Sequence, residues 1–177
     1  MYLSIIVLIY SIFVLFFFND VIIFGNTFAS GDSFNPYAIH HILDQIRLAS
    51  SEWPQWQPWI FSGMPTLEAF TYVNLLYLPS YFLDLLGVSD LNIQFMHLVF
   101  SAVSMFYLVQ KLIQNKKIAF ISGLLWMLNP FLITMIVYGH GSQMMTAAFF
   151  PITLLLLLRL KDEQSIFNML LFALFLG

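Results

Sequence analysis

At 177 residues, with 60% of them hydrophobic, 8% charged and a mean hydropathy of +0.87, the chain has too few charges for a water-facing surface; a soluble domain carries roughly 25%. A net charge of −3 argues against nucleic acid as a partner, and the absence of cysteine excludes a disulfide framework and thiolate chemistry. The solvent that fits is a lipid bilayer, and the expected fold class is an all-α polytopic membrane protein.

In chain order, residues 4–25 read as a first span, with Asn19 and Asp20 interrupting its apolar run. Its length and the lack of a preceding Lys or Arg favour a retained signal-anchor over a cleaved signal peptide, whose apolar core is about 7–15 residues. A polar, aromatic loop over about 26–92 follows. Within it Phe34, Ala38, Ile42 and Ile46 recur every fourth residue, which predicts an amphipathic helix along the membrane surface. Ser33 or Asn35 is the expected cap, with Pro36 in the first turn. The stretch from Trp53 to Trp59 is too proline-rich for a helix, and its rings suit the bilayer interface.

Leu67 to Gly87 is apolar but broken by Glu68, Asn74, Pro79 and Asp84, and reads as re-entrant or interfacial rather than crossing. Further spans are expected over about 93–113, 118–138 with a kink at Asn129-Pro130, and 146–160. The run 166–177 extends for only about 18 Å as a helix, so the sequence reads as the N-terminal fragment of a single multi-span domain, ending inside a span. Five of the six basic residues (Lys111, Lys116, Lys117, Arg159 and Lys161) fall between spans on one side, which should be cytoplasmic. That rule leaves two topologies open for the 26–92 region. Polar interruptions in Leu67–Gly87 favour an extracytoplasmic loop and a cytoplasmic N-terminus.

Asp32, just beyond the first span, can serve as a general base or hold a divalent metal on a phosphate-bearing substrate; equally, it can cap the helix that follows. Glu68 follows a Gly-Met-Pro turn that could return it towards Asp32 as a second acid. His40 and His41 diverge by about 100° on a helix and make a poor metal pair, so one, taken as His40, is read as facing a substrate cleft. The Gly139-His140-Gly141-Ser142-Gln143 turn puts His140 and Gln143 on the same side as Asp32, and one cleft could gather all three. His97 lies inside its span, where a hydrogen-bonded core histidine is the simplest reading. No phosphate-cradling glycine loop, Ser/His/Asp order or zinc signature is present.

Gly31-Asp32 beyond a first span, then Pro54-Gln-Trp-Gln-Pro-Trp-Ile-Phe-Ser-Gly-Met-Pro65, then Tyr138-Gly-His-Gly-Ser-Gln-Met-Met145 together resemble the bacterial YfhO-like membrane proteins, which belong with the GT-C type of polytopic glycosyltransferases. The likeness covers nearly the whole chain in order. It implies a large first loop outside the cytoplasm, with Asp32 at the catalytic or metal-binding position and magnesium or manganese as the metal. It also implies a polyprenyl-phosphate-linked sugar as donor and a multi-pass place in the bacterial plasma membrane, with membrane lipid and a cell-envelope glycan or lipid acceptor as partners. On that reading Arg47 or His140 neutralises the departing lipid phosphate, and Trp56 and Trp59 hold the polyprenyl chain or stack on sugar. Many GT-C enzymes carry adjacent acids in this loop, whereas Asp32 is flanked by Gly31 and Ser33, which leaves Glu68 as the candidate second acid. The rival is a non-catalytic transporter or flippase for lipid-linked glycans, or a scaffold for envelope assembly.

Overall fold

A computed structural model describes residues 2–52, 54–59, 61–66 and 77–176. The protein is mostly helical. In chain order it comprises α1 (Tyr2–Phe17), α2 (Asn19–Ile22), α3 (Gly31–Ser50), a small hairpin of β1 (Trp56–Gln57) and β2 (Met64–Pro65), α4 (Leu78–Leu85) and α5 (Asp90–Ile113). These are followed by α6 (Lys116–Met127), α7 (Pro130–Val137), α8 (Gly141–Ala148), α9 (Phe150–Asp162) and α10 (Ile166–Leu176).

Among the described residues three helical rods are long and apolar enough to cross a membrane: Asp90–Ile113, Lys116–Val137 and Gly141–Asp162, of 24, 22 and 22 residues. A crossing needs about 20 residues. The molecule also wears its apolar residues outward, with Leu125 69%, Phe150 59% and Leu174 73% exposed. An apolar skin of this extent is tolerable against lipid and not against water. This is a membrane protein.

Two of the three rods are broken, and proline is the reason in each. Pro130 has no N–H for the Trp126 carbonyl, which instead accepts from Asn129 at 3.2 Å, while the Asn129 side chain caps α7 by accepting from Phe131 N–H at 2.9 Å. Pro151 likewise cannot serve the Ala147 carbonyl, and the helix turns at Phe149, whose N–H bonds Thr146 at 3.2 Å. The first break was expected and the second was not.

The last rod starts at Gly141, five residues before the expected Thr146, because Gly141, Ser142 and Gln143 form its first turn. Met144 N–H reaches the His140 carbonyl at 3.1 Å. The first apolar run also differs from the expected span: α1 ends at Phe17, and Asn19, whose side chain donates to the Phe16 carbonyl, opens the separate turn α2. Helix α3 begins at Gly31 rather than after Ser33 or Asn35, with Phe34 N–H bonded to the Ser30 carbonyl at 3.3 Å.

Ile6, Tyr10 and Val14 of α1, with Phe18 just beyond its end, recur every fourth residue as a buried stripe and join Phe95, Leu98, Ala102 and Phe106 of α5 in the core. Tyr10 stacks on Phe120 at 5.2 Å and donates to its carbonyl at 3.1 Å. Gly123 lies where α6 meets both Tyr10 and the Ala102 carbonyl of α5, a close backbone approach that membrane helices achieve with small residues. Lys111 pairs with Asp162 at 2.5 Å, so the C-terminal ends of α5 and α9 share the basic end of the bundle. The opposite end carries the start of α5, the α7–α8 turn and the start of α3.

Candidate functional site

The α7–α8 turn is short because Gly139 adopts φ +88°, a left-handed conformation that suits glycine. It lets His140 N–H bond the Met135 carbonyl at 2.7 Å, closing a Schellman turn. His140 is thereby presented at the head of α8. Asp32 occupies the first turn of α3, where a carboxylate faces the positive end of the helix dipole. The two meet: His140 Nε2 lies 3.4 Å from Asp32 Oδ2, with the side chains 45% and 61% exposed. Residues remote in sequence thus form an open acid–imidazole pair that incoming molecules can reach.

Gly141, directly after His140, holds this turn against α5. A Cβ there would run into the side-chain amide of Gln94, whose Oε1 is buried and has no partner among the described residues. Gln94 was not anticipated from the sequence. The signal was available, because Gln94, His97, Ser101 and Ser104 recur at helical spacing along α5. The last three are buried, with the serine hydroxyls bonded to the Leu98 and Phe100 carbonyls at 2.8 Å.

The other candidates are scattered. Gln143 is exposed in the first turn of α8, one turn beyond His140. Arg47 shares α3 with Asp32 but lies fifteen residues along it, about 22 Å away at 1.5 Å per residue, and is therefore too far to act at the same atom. With Asp44, Leu48 and Ser51 it lines a shallow recess of about 500 Å³. His41 takes a hydrogen bond from the Gln45 amide at 3.0 Å, one turn on. The His40 side chain, Trp53 and Glu68 lie outside the described residues.

Trp56 and Trp59 are 55% and 51% exposed on the hairpin loop. The Trp56 indole covers Gly63, which has φ +112° and leaves no room for a Cβ, the ring being 2.6 Å from where one would stand. Gly63→Ala is expected to loosen the hairpin by about 1–2 kcal/mol, seen as faster proteolysis within residues 52–66 at unchanged bundle stability.

Asp32 and His140 offer one oxygen and one nitrogen donor, and among the described residues no group of three acidic, His or Cys side chains gathers to hold a metal. The Asp32 carboxylate could hold magnesium or manganese only together with water and substrate phosphate oxygens, the usual arrangement for magnesium.

Comparison with protein-family models, curated proteins and solved structures finds no match.

A second polar contact lies deeper. His97 Nδ1 is 2.8 Å from the Ile93 carbonyl, which can only accept, so Nδ1 donates there and Nε2 accepts from the Tyr77 hydroxyl at 2.6 Å. Phe149 stands edge-on to both rings, its centroid 5.8 Å from His97 and 6.2 Å from Tyr77. Both polar atoms of the histidine ring are used, which supports a structural role over a reactive one.

Proposed function

We propose that the chain forms the outer-face reacting region of a YfhO-like, GT-C-type membrane glycosyltransferase that moves a sugar from a polyprenyl-phosphate-linked donor to a cell-envelope acceptor of a bacterial plasma membrane. The observation that supports this most is the exposed Asp32 carboxylate beside His140, at the end of the bundle opposite the lysines. In this reading an acceptor hydroxyl oxygen attacks the anomeric carbon as its proton passes to Asp32. The bond from that carbon to the phosphate oxygen breaks, polyprenyl phosphate departs with the electron pair, and the anomeric configuration inverts. His140 orients Asp32, and the first-turn N–H groups of α8 suit the charge growing on the phosphate. Trp56 and Trp59 offer faces for sugar or lipid. Arg47 is left out of the reacting centre by its distance along α3, and no step is routed through a metal.

A transporter, flippase or scaffold is the second reading. A transport path would need polar groups free at mid-depth in the spans. The buried polar groups His97, Ser101 and Ser104 bond to neighbouring carbonyls and to Tyr77, whereas Gln94 Oε1, Gln110 Oε1 and Trp126 Nε1 are buried without a partner among the described residues, which keeps this reading in play. The deciding assay supplies polyprenyl-phosphate sugars to membranes containing the complete protein. Transfer of label to an envelope acceptor supports the enzyme, and its absence at normal protein level favours the second reading.

A further inference from the structure

We propose that α4 is seated within the hydrocarbon of the leaflet at the Asp32–His140 end and rises from below the surface to the level of Asp90, with Leu78, Phe82, Leu85 and Leu86 facing lipid acyl chains. Three observations carry this, and none depends on the sugar-transfer reading.

The first is parity. Asp32 touches His140 at the turn between α7 and α8, and the start of α5 lies at that same end, because Gln94 packs on Gly141. The chain between Asp32 and Asp90 therefore begins and ends on one side of the membrane. α3 is amphipathic and the Trp56–Pro65 hairpin folds back on itself within ten residues, so neither makes a crossing. Helix α4, at eight residues, is also too short to cross.

The second is depth, for which the structure supplies two rulers. Tyr77, immediately before α4, bonds His97 at 2.6 Å, and His97 is seven residues below Asp90 on α5, about 10 Å down. Tyr77 also meets Phe149, eight residues below Gly141 on the neighbouring rod, about 12 Å down. Both place the start of α4 well inside a hydrocarbon half-layer of about 15 Å. Eight residues of α4 then rise about 12 Å, which returns the chain to the level of Asp90. A glycine turn completes the return: Gly87 at φ +75° lets Val88 N–H bond the Leu83 carbonyl at 3.0 Å, after which Ser89 caps α5. Helices α4 and α5 thus run antiparallel and in contact.

The third is the exposed stripe. Leu78, Phe82 and Leu85, at helical spacing on one side of α4, and Leu86 just beyond its end are 60%, 59%, 66% and 78% exposed, while Tyr77 turns to His97. At a depth where water is excluded, a stripe continuous with the apolar skin of the bundle, such as the exposed Met96 of α5, fits acyl chains.

These 177 residues lack cysteine, so each introduced thiol is a unique reporter within them once any cysteine elsewhere in the protein has been replaced by serine. Nitroxide labels at Leu78→Cys, Phe82→Cys and Leu85→Cys replace side chains that are more than half exposed and outside the core. The complete protein would be placed in phosphatidylethanolamine/phosphatidylglycerol vesicles, and each label's accessibility to oxygen and to a water-soluble nickel chelate measured. All three should favour oxygen, with position 78 deeper than position 85 by about 10 Å. Equal depths would mean a helix lying flat on the surface, a preference for nickel would mean an aqueous loop, and exclusion of both probes would mean a protein cover; each overturns the proposal. Independently, Leu48→Cys and Ser89→Cys should react with a membrane-impermeant maleimide from the same side of sealed vesicles. Reaction from opposite sides would also overturn it.

Discussion

Asp32→Asn is expected to lower sugar transfer by about 10²–10⁴-fold, the range that a positioned general base supplies, with protein level and membrane insertion unchanged. Asparagine preserves the size of the side chain and its place in the first turn of α3, and the carboxylate is 61% exposed, so the fold has little to lose. What disappears is the carboxylate that faces His140 at 3.4 Å and that, in the proposed reaction, takes the acceptor proton. His140→Gln keeps a polar side chain on the same turn and should cost less, because the carboxylate remains in place with its orientation loosened. If Asp32→Asn transfers sugar at the native rate, Asp32 is a helix-terminal acid serving the dipole of α3, and the reacting group has to be sought elsewhere.

The largest stability effect is expected at Gly123. A methyl group there would lie 2.7 Å from the Ala102 carbonyl and collide with the Tyr10 hydroxyl. Neither neighbour can step aside: the first is helix backbone, and Tyr10 is fully buried, stacked on Phe120 and bonded to its carbonyl. Overpacking of this kind costs about 1–3 kcal/mol, so Gly123→Ala should lower the midpoint of unfolding in detergent, and Gly123→Leu should lower it further. Combining Gly123→Ala with Tyr10→Phe removes the hydroxyl from the collision and should recover part of the loss, a coupling between contacting residues. Stability of Gly123→Ala indistinguishable from native would mean that α1, α5 and α6 do not meet as closely as described.

Much of the bundle was legible because a membrane helix needs a long apolar run, and the runs near 93–113 and 118–138 are nearly uninterrupted. The kink at Asn129-Pro130 was legible for the local reason that proline lacks a donor. The same reason operates at Phe149, but Pro151 lies two residues beyond the turn it causes and was passed over as part of an apolar run. The start of the last rod was misjudged at Gly141 because glycine, serine and glutamine resemble a loop, whereas here they form a first helical turn with its carbonyls in use.

The candidate site divides along the same line. That Asp32 and His140 share one side of the membrane was an expectation resting on the polar interruptions in Leu67–Gly87, because the lysines by themselves left both topologies open. That they stand 3.4 Å apart depends on how α3 docks on the α7–α8 turn, a matter of packing between residues far apart in the chain. Arg47 shows the converse: it was grouped with the site by charge, and the unbroken length of α3 then carries it about 22 Å away. Tyr77 and His97 carried no motif, yet their hydrogen bond gauges the depth of α4. Hydrophobic run length and proline chemistry act within a few residues, so composition and order alone specify the solvent, the helices and their approximate ends. Which polar side chains meet, and at what depth, is set by contacts between distant segments, and only the packed bundle decides them.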